Sequence, residues 1–274
     1  MLVLLLLQVL ASCLCLGHSE VVPSFQICSQ FFFRATPPNN ALQPNNPARI
    51  CQRYNNQYHY ATLYNRDLRI PVYSAYRYQP GAGNRPKFWM VEPQLIGSHY
   101  PNYMETEPTL MKTSNVTLQQ ISNSQAIDND YKNLTGLNRG HLNPRCHQPN
   151  SNSITATFTL TNIIPQNQIL NGGAWNTYEV ETMANMSQGC TTTYVVVGAV
   201  PGNNFIANGR VNIPSHLWSS ACCEMGNNQR KTWAVIANNA NNPVQNLSLK
   251  DLENRLTRLY NRGRVSLFHP DCPR

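Results

Sequence analysis

Asn138-Arg139-Gly140-His141, then Thr161-Asn162-Ile163-Ile164-Pro165-Gln166, then Leu170-Asn171-Gly172-Gly173-Ala174-Trp175 and Glu179, form the stretch on which the reading of this chain turns. A histidine alone is usually structural, so the case rests on grouping. In an extended strand, side chains alternate between faces, which puts Arg139 and His141 on the same side. A guanidinium and an imidazole on one face can hold a phosphate and activate a water beside it. Asn171 and Glu179 are eight residues apart, about 12 Å along one ideal helix, too far for both to bind one ion directly. Gly172-Gly173 marks the helix start and shortens that distance. The pattern suits a hard cation held mainly by water, with Asn171 as a direct oxygen ligand and Glu179 gripping the waters. Taken by themselves, Asn and Glu near a helix N-terminus read equally well as capping residues.

Outward from this stretch, Tyr58–Tyr64 and Ile70–Tyr78 are rich in aromatic and β-branched residues and predict a hairpin. Phe88–Glu92 reads as a short strand, and residues 105–136 as polar loop with a short helix. Ile154–Thr161 alternates threonine with apolar side chains, the pattern of a strand with one buried face. Trp175–Met186 predicts a helix stopped by Gly189. Tyr194–Val197 is continuous enough for a buried central strand, and Trp233–Ala237 for another. Leu249, Leu252, Leu256 and Leu259 recur at helical spacing. There is no internal repeat. The expected organisation is a signal segment at 1–19, an N-terminal loop segment at 20–54 and a single α+β domain at 55–274.

The chain has 274 residues, 41% of them hydrophobic, which is enough for a sizeable core and argues against global disorder. Its 21 basic residues outnumber 13 acidic ones, for a net charge of +8, which suits a polyanionic partner. Met1–Leu16 is almost wholly apolar, a little short for a membrane span, and followed by Gly17 and Ser19; it reads as a secretory signal peptide, although no Lys or Arg precedes it. A retained anchor is the alternative; no flanking stop-transfer charges support it. Two of the nine cysteines, Cys13 and Cys15, fall in that run; the others are Cys28, Cys51, Cys146, Cys190, Cys222, Cys223 and Cys272. An oxidising compartment predicts three bridges and one odd thiol, with Cys28–Cys51 closing the Pro/Asn-rich loop at 37–47 and the vicinal Cys222 and Cys223 taking different partners. Asn115, Asn133, Asn185 and Asn246 begin glycosylation sequons. Cys146, five residues after His141, lies in no nucleophile motif, so a cysteine hydrolase is set aside.

The central stretch resembles the DNA/RNA non-specific endonucleases of the ββα-metal class, whose signature is D-R-G-H, then N-x-x-P-Q, then L-N-x-x-x-W and a Glu, all with the spacing kept here. Ala61–Asn65, Arg69–Tyr76, Val91–Leu95, Ala156–Asn162 and Cys222-Cys223 look most like a vertebrate group within it, the endonuclease domain-containing 1 proteins. The resemblance covers roughly residues 55–270. It implies an α+β fold, a mainly antiparallel sheet flanked by helices. It implies that His141 is the general base that deprotonates the attacking water and that Arg139 binds the phosphate. Asn171 would be the single direct ligand of a divalent ion, Mg²⁺ first, with Glu179 holding that ion's waters and Asn162 supporting the site. The ion would stabilise the departing 3′ oxygen. The substrates implied are DNA and RNA, gripped through the phosphate backbone without reading base or sugar.

Two positions depart from the pattern. Asn138 stands where the family has Asp, so a negative charge expected near His141 is missing and Asn138→Asp should raise activity. Met183 stands where some members carry an Arg one turn after the Glu. The expected function is a secreted Mg²⁺-dependent endonuclease, soluble rather than membrane-bound. The alternative is a weakened relative that binds nucleic acid or a protein. His141, Asn171 and Glu179 favour the first, Asn138 the second.

Overall fold

A computed structural model describes residues 20–240 and 243–274, so the segment at 1–19 lies outside the described residues. The strands are β1 (Val21–Val22), β2 (Pro47–Tyr54), β3 (Gln57–Asn65), β4 (Ile70–Arg77), β5 (Met90–Val91), β6 (Glu105–Thr106), β7 (Leu137–His141) and β8 (Ile163–Asn167). They continue with β9 (Cys190–Val200), β10 (Asn204–Ile206), β11 (Val211–Ile213), β12 (His216–Met225), β13 (Arg230–Asn238) and β14 (Gln245–Leu247). The helices are α1 (Glu107–Ser114), α2 (Leu118–Ser124), α3 (Ser151–Ala156), α4 (Gln168–Gly172), α5 and α6 (Leu249–Tyr260). Helix α5 starts at Ala174–Thr177, widens into a π turn at Tyr178–Thr182 and closes at Met183–Met186.

Eight strands form one antiparallel sheet in the order β1-β2-β3-β4-β9-β12-β13-β14. β9 lies at its centre because its Val195–Val197 run is apolar on both faces, and both faces are covered. Val195 and Val197 pack with Leu217, Trp233, Trp175, Tyr178 and Met183 on one side. Val196 packs with Trp218, Ile236, Phe33 and the leucines of α6 on the other. Helix α6 starts at Ser248, whose Oγ accepts from the Asp251 N–H at 3.0 Å. Leu249, Leu252 and Leu256 are buried, whereas Leu259, at the fraying end, is exposed.

The expected hairpin is β3–β4, with Leu63 opposite Tyr73. The site lies on the first face, where β7 and β8 pair antiparallel with Arg139 opposite Pro165 and His141 opposite Ile163. β8 runs directly into α4, whose cap is the Asn167 side chain, accepting from the N–H groups of Ile169 and Leu170 at 3.0 and 3.1 Å. The fold is α+β, with the ββα unit formed by β7, β8 and the α4–α5 segment.

Three local expectations are corrected. Residues 154–161 are not a strand. Asn150 and Ser153 make a reciprocal capping box that starts α3, and a short 3₁₀ turn at Leu160–Asn162 follows. Their alternation does not mark an exposed face either: Thr157, Thr159 and Thr161 are buried, each with its hydroxyl bonded inside. Residues 20–54 are not a separate loop, because β2 pairs with β3 along its length and residue 55 falls in the connecting turn. Gln52 and Arg53 are buried there, so the strand carries no polar–apolar alternation to reveal it. Residues 105–136 hold two helices, α1 and α2, begun by the Thr106 and Thr117 caps.

Among the described residues the cysteines pair as Cys28–Cys51, Cys190–Cys223 and Cys222–Cys272, leaving Cys146 as the free thiol. Non-reducing peptide mapping of the purified protein is expected to return these three bridges. It should also find Cys146, only partly exposed, alkylated faster after denaturation than before; a bridge to Cys146 would contradict this fold.

Candidate active site

His141 ends β7 with its ring between two aromatic side chains, 5.4 Å from the Trp89 ring and 4.9 Å from that of Phe158. Its Nε2 is shielded from solvent and has no protein hydrogen-bond partner. Burial, then the neighbouring charges of Arg85 and Arg145, push its pKa down to about 3, so the imidazole is neutral at pH 7. A neutral imidazole with a bare ring nitrogen is the state a proton acceptor needs. Gly140 beside it is required by space. A Cβ there would sit 2.6 Å from the Cβ of Gln166, on the opposite strand, so any larger residue would part β7 from β8.

Arg139 shares the face of His141, as alternation demands. Its guanidinium donates to Asp128 Oδ1 at 2.7 Å and to the Asp128 carbonyl at 3.1 Å. It lies over the Trp89 and Tyr131 rings at 5.1 and 5.6 Å. Those contacts pre-set the fork and leave less side-chain freedom to lose on meeting a phosphate.

One cavity of about 250 Å³ brings together Arg139, His141, Asn171 and Glu179, with Arg85 and Arg145 also lining it. Asn162 and Asn138 do not line it. Asn162 is fully buried, and its Oδ1 accepts from Ser74 Oγ and the Asn143 N–H, while its Nδ2 donates to the carbonyls of Asn143 and Thr157. It therefore holds the turn two residues beyond His141. Asn138 is exposed on the opposite face of β7, with Gly140, so the family position that carries Asp faces away from the imidazole.

Glu179 lies in the π turn of α5. Burial pushes its carboxyl up to about 8, an interaction with the Trp175 indole offsetting part of that. The turn is held from below. The Glu179 carbonyl accepts from His147 Nε2 at 2.8 Å, and His147 Nδ1 meets the Tyr76 hydroxyl at 2.8 Å. A carbonyl can only accept, so Nε2 carries the proton and Nδ1 accepts from Tyr76. Burial lowers His147 to about 4, which keeps this neutral tautomer. The widened turn also disposes of Met183: it is buried and takes the Trp233 indole N–H on its sulfur at 3.3 Å, out of the cavity. A π turn inside an α-helix is frequent where a functional side chain must be re-aimed.

Asn171 and Glu179 fit a hard divalent ion. One offers an amide oxygen and the other a buried carboxyl whose ionised form needs a nearby positive charge. Among the described residues there is no group of three or more His, Cys, Asp or Glu side chains placed for a metal, so protein oxygens here would be few and water would supply the rest.

Sequence reading missed Arg85 and Arg145. Arg85 sits in the Gly/Pro-punctuated coil before β5 with its guanidinium 5.8 Å from the Phe158 ring centre. No periodicity marks such a residue. Arg145 is four residues after His141 in a 3₁₀ turn, and only that nearness in sequence could have suggested it. Cys146 lines the cavity too, but burial pushes its thiol up to about 12, so it stays protonated.

Three arginines, a neutral imidazole, two amides (Asn171 and Asn176) and one carboxyl in a single cavity are the equipment of a phosphodiesterase. The chain belongs to the DNA/RNA non-specific endonuclease family, whose sequence profile matches residues 37–264. It is 28% identical over 250 residues to the human endonuclease domain-containing 1 protein, covering 88% of this chain and 47% of that one. To the mouse protein of the same name it is 29% identical over 256 residues, covering 90% of this chain and 48% of that one. The chain thus spans about half the length of these relatives. A chain from the crystal structure of the EndoG/EndoGI complex superposes with a TM-score of 0.54 at 17% identity, over 81% of this chain and 87% of that one, and shares the ββα-metal fold.

Tyr76→Phe should leave His147 Nδ1 buried and unpaired. A loss of about 1–3 kcal/mol in chemical denaturation is expected, the usual cost of such an orphan.

Proposed function

We propose that this chain is a secreted, Mg²⁺-dependent endonuclease that cleaves phosphodiester bonds of DNA and RNA. The observation that carries the reading is the neutral imidazole of His141, which lines one cavity with three arginines, Asn171 and Glu179. In this mechanism Arg139, Arg85 and Arg145 draw a backbone phosphate into the cavity and neutralise it. His141 accepts a proton from a water aligned with phosphorus. Trp89 and Phe158 exclude competing solvent from the ring. Asn171 would hold the ion directly and Glu179 its waters, and Mg²⁺, when bound, would supply stabilisation of the charge on the departing 3′ oxygen. Contacts of this kind are to phosphate alone, and the net charge of +8 adds long-range attraction for any polynucleotide.

Three disulfides support a place in an oxidising compartment. The sequon asparagines Asn115, Asn133, Asn185 and Asn246 are all exposed, as glycan acceptors must be. Among the described residues no helix is long and apolar enough to cross a membrane.

Plasmid and RNA digestion by the purified protein tests the proposal. EDTA should abolish cleavage and added Mg²⁺ restore it, and His141→Ala should lower the rate by about 10²–10⁴ with the circular dichroism spectrum unchanged. Metal-independent cleavage, or a His141→Ala protein as fast as the parent, would refute it.

Asn138 stands behind this site rather than in it. A carboxylate on the exposed face acts through solvent and is screened, so Asn138→Asp should raise the rate by less than about tenfold. A larger gain at equal protein concentration would mean that the residue reaches the imidazole.

A further inference from the structure

Outside the lining of the catalytic cavity, three buried side chains end in four oxygens with no side-chain partner. Glu20, Gln52 and Glu92 are each 0% exposed. Both carboxyl oxygens of Glu20, Oε2 of Glu92 and Oε1 of Gln52 lack a side-chain hydrogen bond. The backbones that carry them are fixed. Glu20 donates its N–H to Gln94 Oε1 at 2.8 Å and accepts from the Cys51 N–H at 2.8 Å, so it is tied to the neighbours of both other residues. Glu92 is clamped by Gln125, which accepts from its N–H and donates to its carbonyl, each at 2.8 Å.

The head groups are fixed as well. Glu92 Oε1 accepts from Thr159 and Thr161 at 2.7 and 2.8 Å. Thr161 has one hydrogen, given to Glu92, so it must accept from Gln52 Nε2, at 2.9 Å. That excludes a flipped amide and leaves Gln52 Oε1 bare. Two nearby side-chain donors are already committed, and the Arg53 backbone N–H is the one directed at Glu20. The Tyr60 hydroxyl donates to the Ala156 carbonyl at 3.0 Å, and the Arg53 guanidinium to Asn102 and Asn56.

We propose that Glu20, Gln52 and Glu92 form a structural divalent-cation site, separate from the catalytic cavity, that takes Ca²⁺. Three carboxylate oxygens and one amide oxygen without a side-chain donor define what fits there, with only the Arg53 backbone N–H and its guanidinium charge acting on Glu20. A proton shared between Glu20 and Glu92 would satisfy two of the four oxygens and leave two orphaned; a hard cation satisfies all of them. The mutual proximity of the two carboxyls, which with burial holds Glu20 well above the ordinary carboxylate range, is what such an ion would relieve. Ca²⁺ suits the site better than Mg²⁺, because it accepts irregular sets of carboxylate and amide oxygens, whereas Mg²⁺ demands a near-octahedral shell and retains its waters. The ion would tie Glu20, just before β1, to β2 and to the β5 segment, joining three parts distant in sequence.

The experiment is thermal unfolding and calcium equilibrium dialysis after chelator treatment, on the parent chain and on an Asn171→Ala/Glu179→Ala variant that removes the catalytic ion's ligands. One calcium per chain and a calcium-dependent rise in Tm should persist in that variant. Glu92→Gln should weaken calcium binding at least tenfold and remove the rise, and Mg²⁺ should not substitute. Loss of binding in the Asn171→Ala/Glu179→Ala variant would assign calcium to the catalytic cavity and overturn the proposal, as would undiminished binding to Glu92→Gln. A Tm indifferent to calcium that climbs as pH falls from 7 to 5 would mean a shared proton instead. Should Glu92→Gln fail to fold, dialysis on the Asn171→Ala/Glu179→Ala variant decides alone: one calcium supports the site and none refutes it.

Discussion

The amide of Asn162 joins the central sheet to the strand pair that carries His141. Its oxygen takes hydrogens from Ser74 on β4 and from the Asn143 backbone, and its nitrogen reaches the carbonyls of Asn143 and Thr157. The whole hydrogen-bonding capacity of one buried side chain is thereby used on three separate segments. No other residue type offers two donors and a two-coordinate acceptor in so small a planar group. Leucine or aspartate of similar size would leave buried backbone groups without partners, so the position of His141 against the sheet depends on this contact.

Around that strut the site is arranged as opposed charge environments. The arginines on the cavity wall and the surrounding aromatic rings both favour a neutral His141. In the same cavity, Glu179 has no ion-pair partner among the described residues and rises toward neutrality for the opposite reason, since the charge that burial penalises there is negative. A polyanion and a cation arriving together would satisfy both. Neutral proton acceptor and ion-seeking carboxyl are thus set by environment rather than by residue type.

Much of this could be read beforehand, and the boundary is physical. β3, β4, β9, β13 and α6 declare themselves because each buries one face or both in a regular period. The spacing from Arg139 to Glu179 also survives, because β7, β8 and α5 belong to one unit between Leu137 and Met186. What could not be read was set by tertiary contact. The threonine alternation at 154–161 mimics a strand while its hydroxyls serve internal acceptors, and the polar Gln52 and Arg53 of β2 are buried against Thr62, Thr161 and Asn102. Arg85 and His147 reach the site from parts of the chain with no local pattern. The strand period also placed Arg139 with His141, and the same rule sets Asn138 on the other face. The sequence resemblance alone had drawn attention to its missing charge.

Adjacent cysteines on an extended strand point to opposite sides, and β12 uses both. Cys223 is bridged to Cys190 at the start of β9, beside the end of α5, while Cys222 is bridged through the other face to Cys272 near the end of the chain. The pair therefore works as a gauge of alignment. A slip of β12 by one residue would interchange the faces and offer each sulfur the other's partner, so the bridges close in this combination only when the central strands are in native register. Oxidation, in such an arrangement, records that the sheet has been assembled correctly before it makes that assembly permanent.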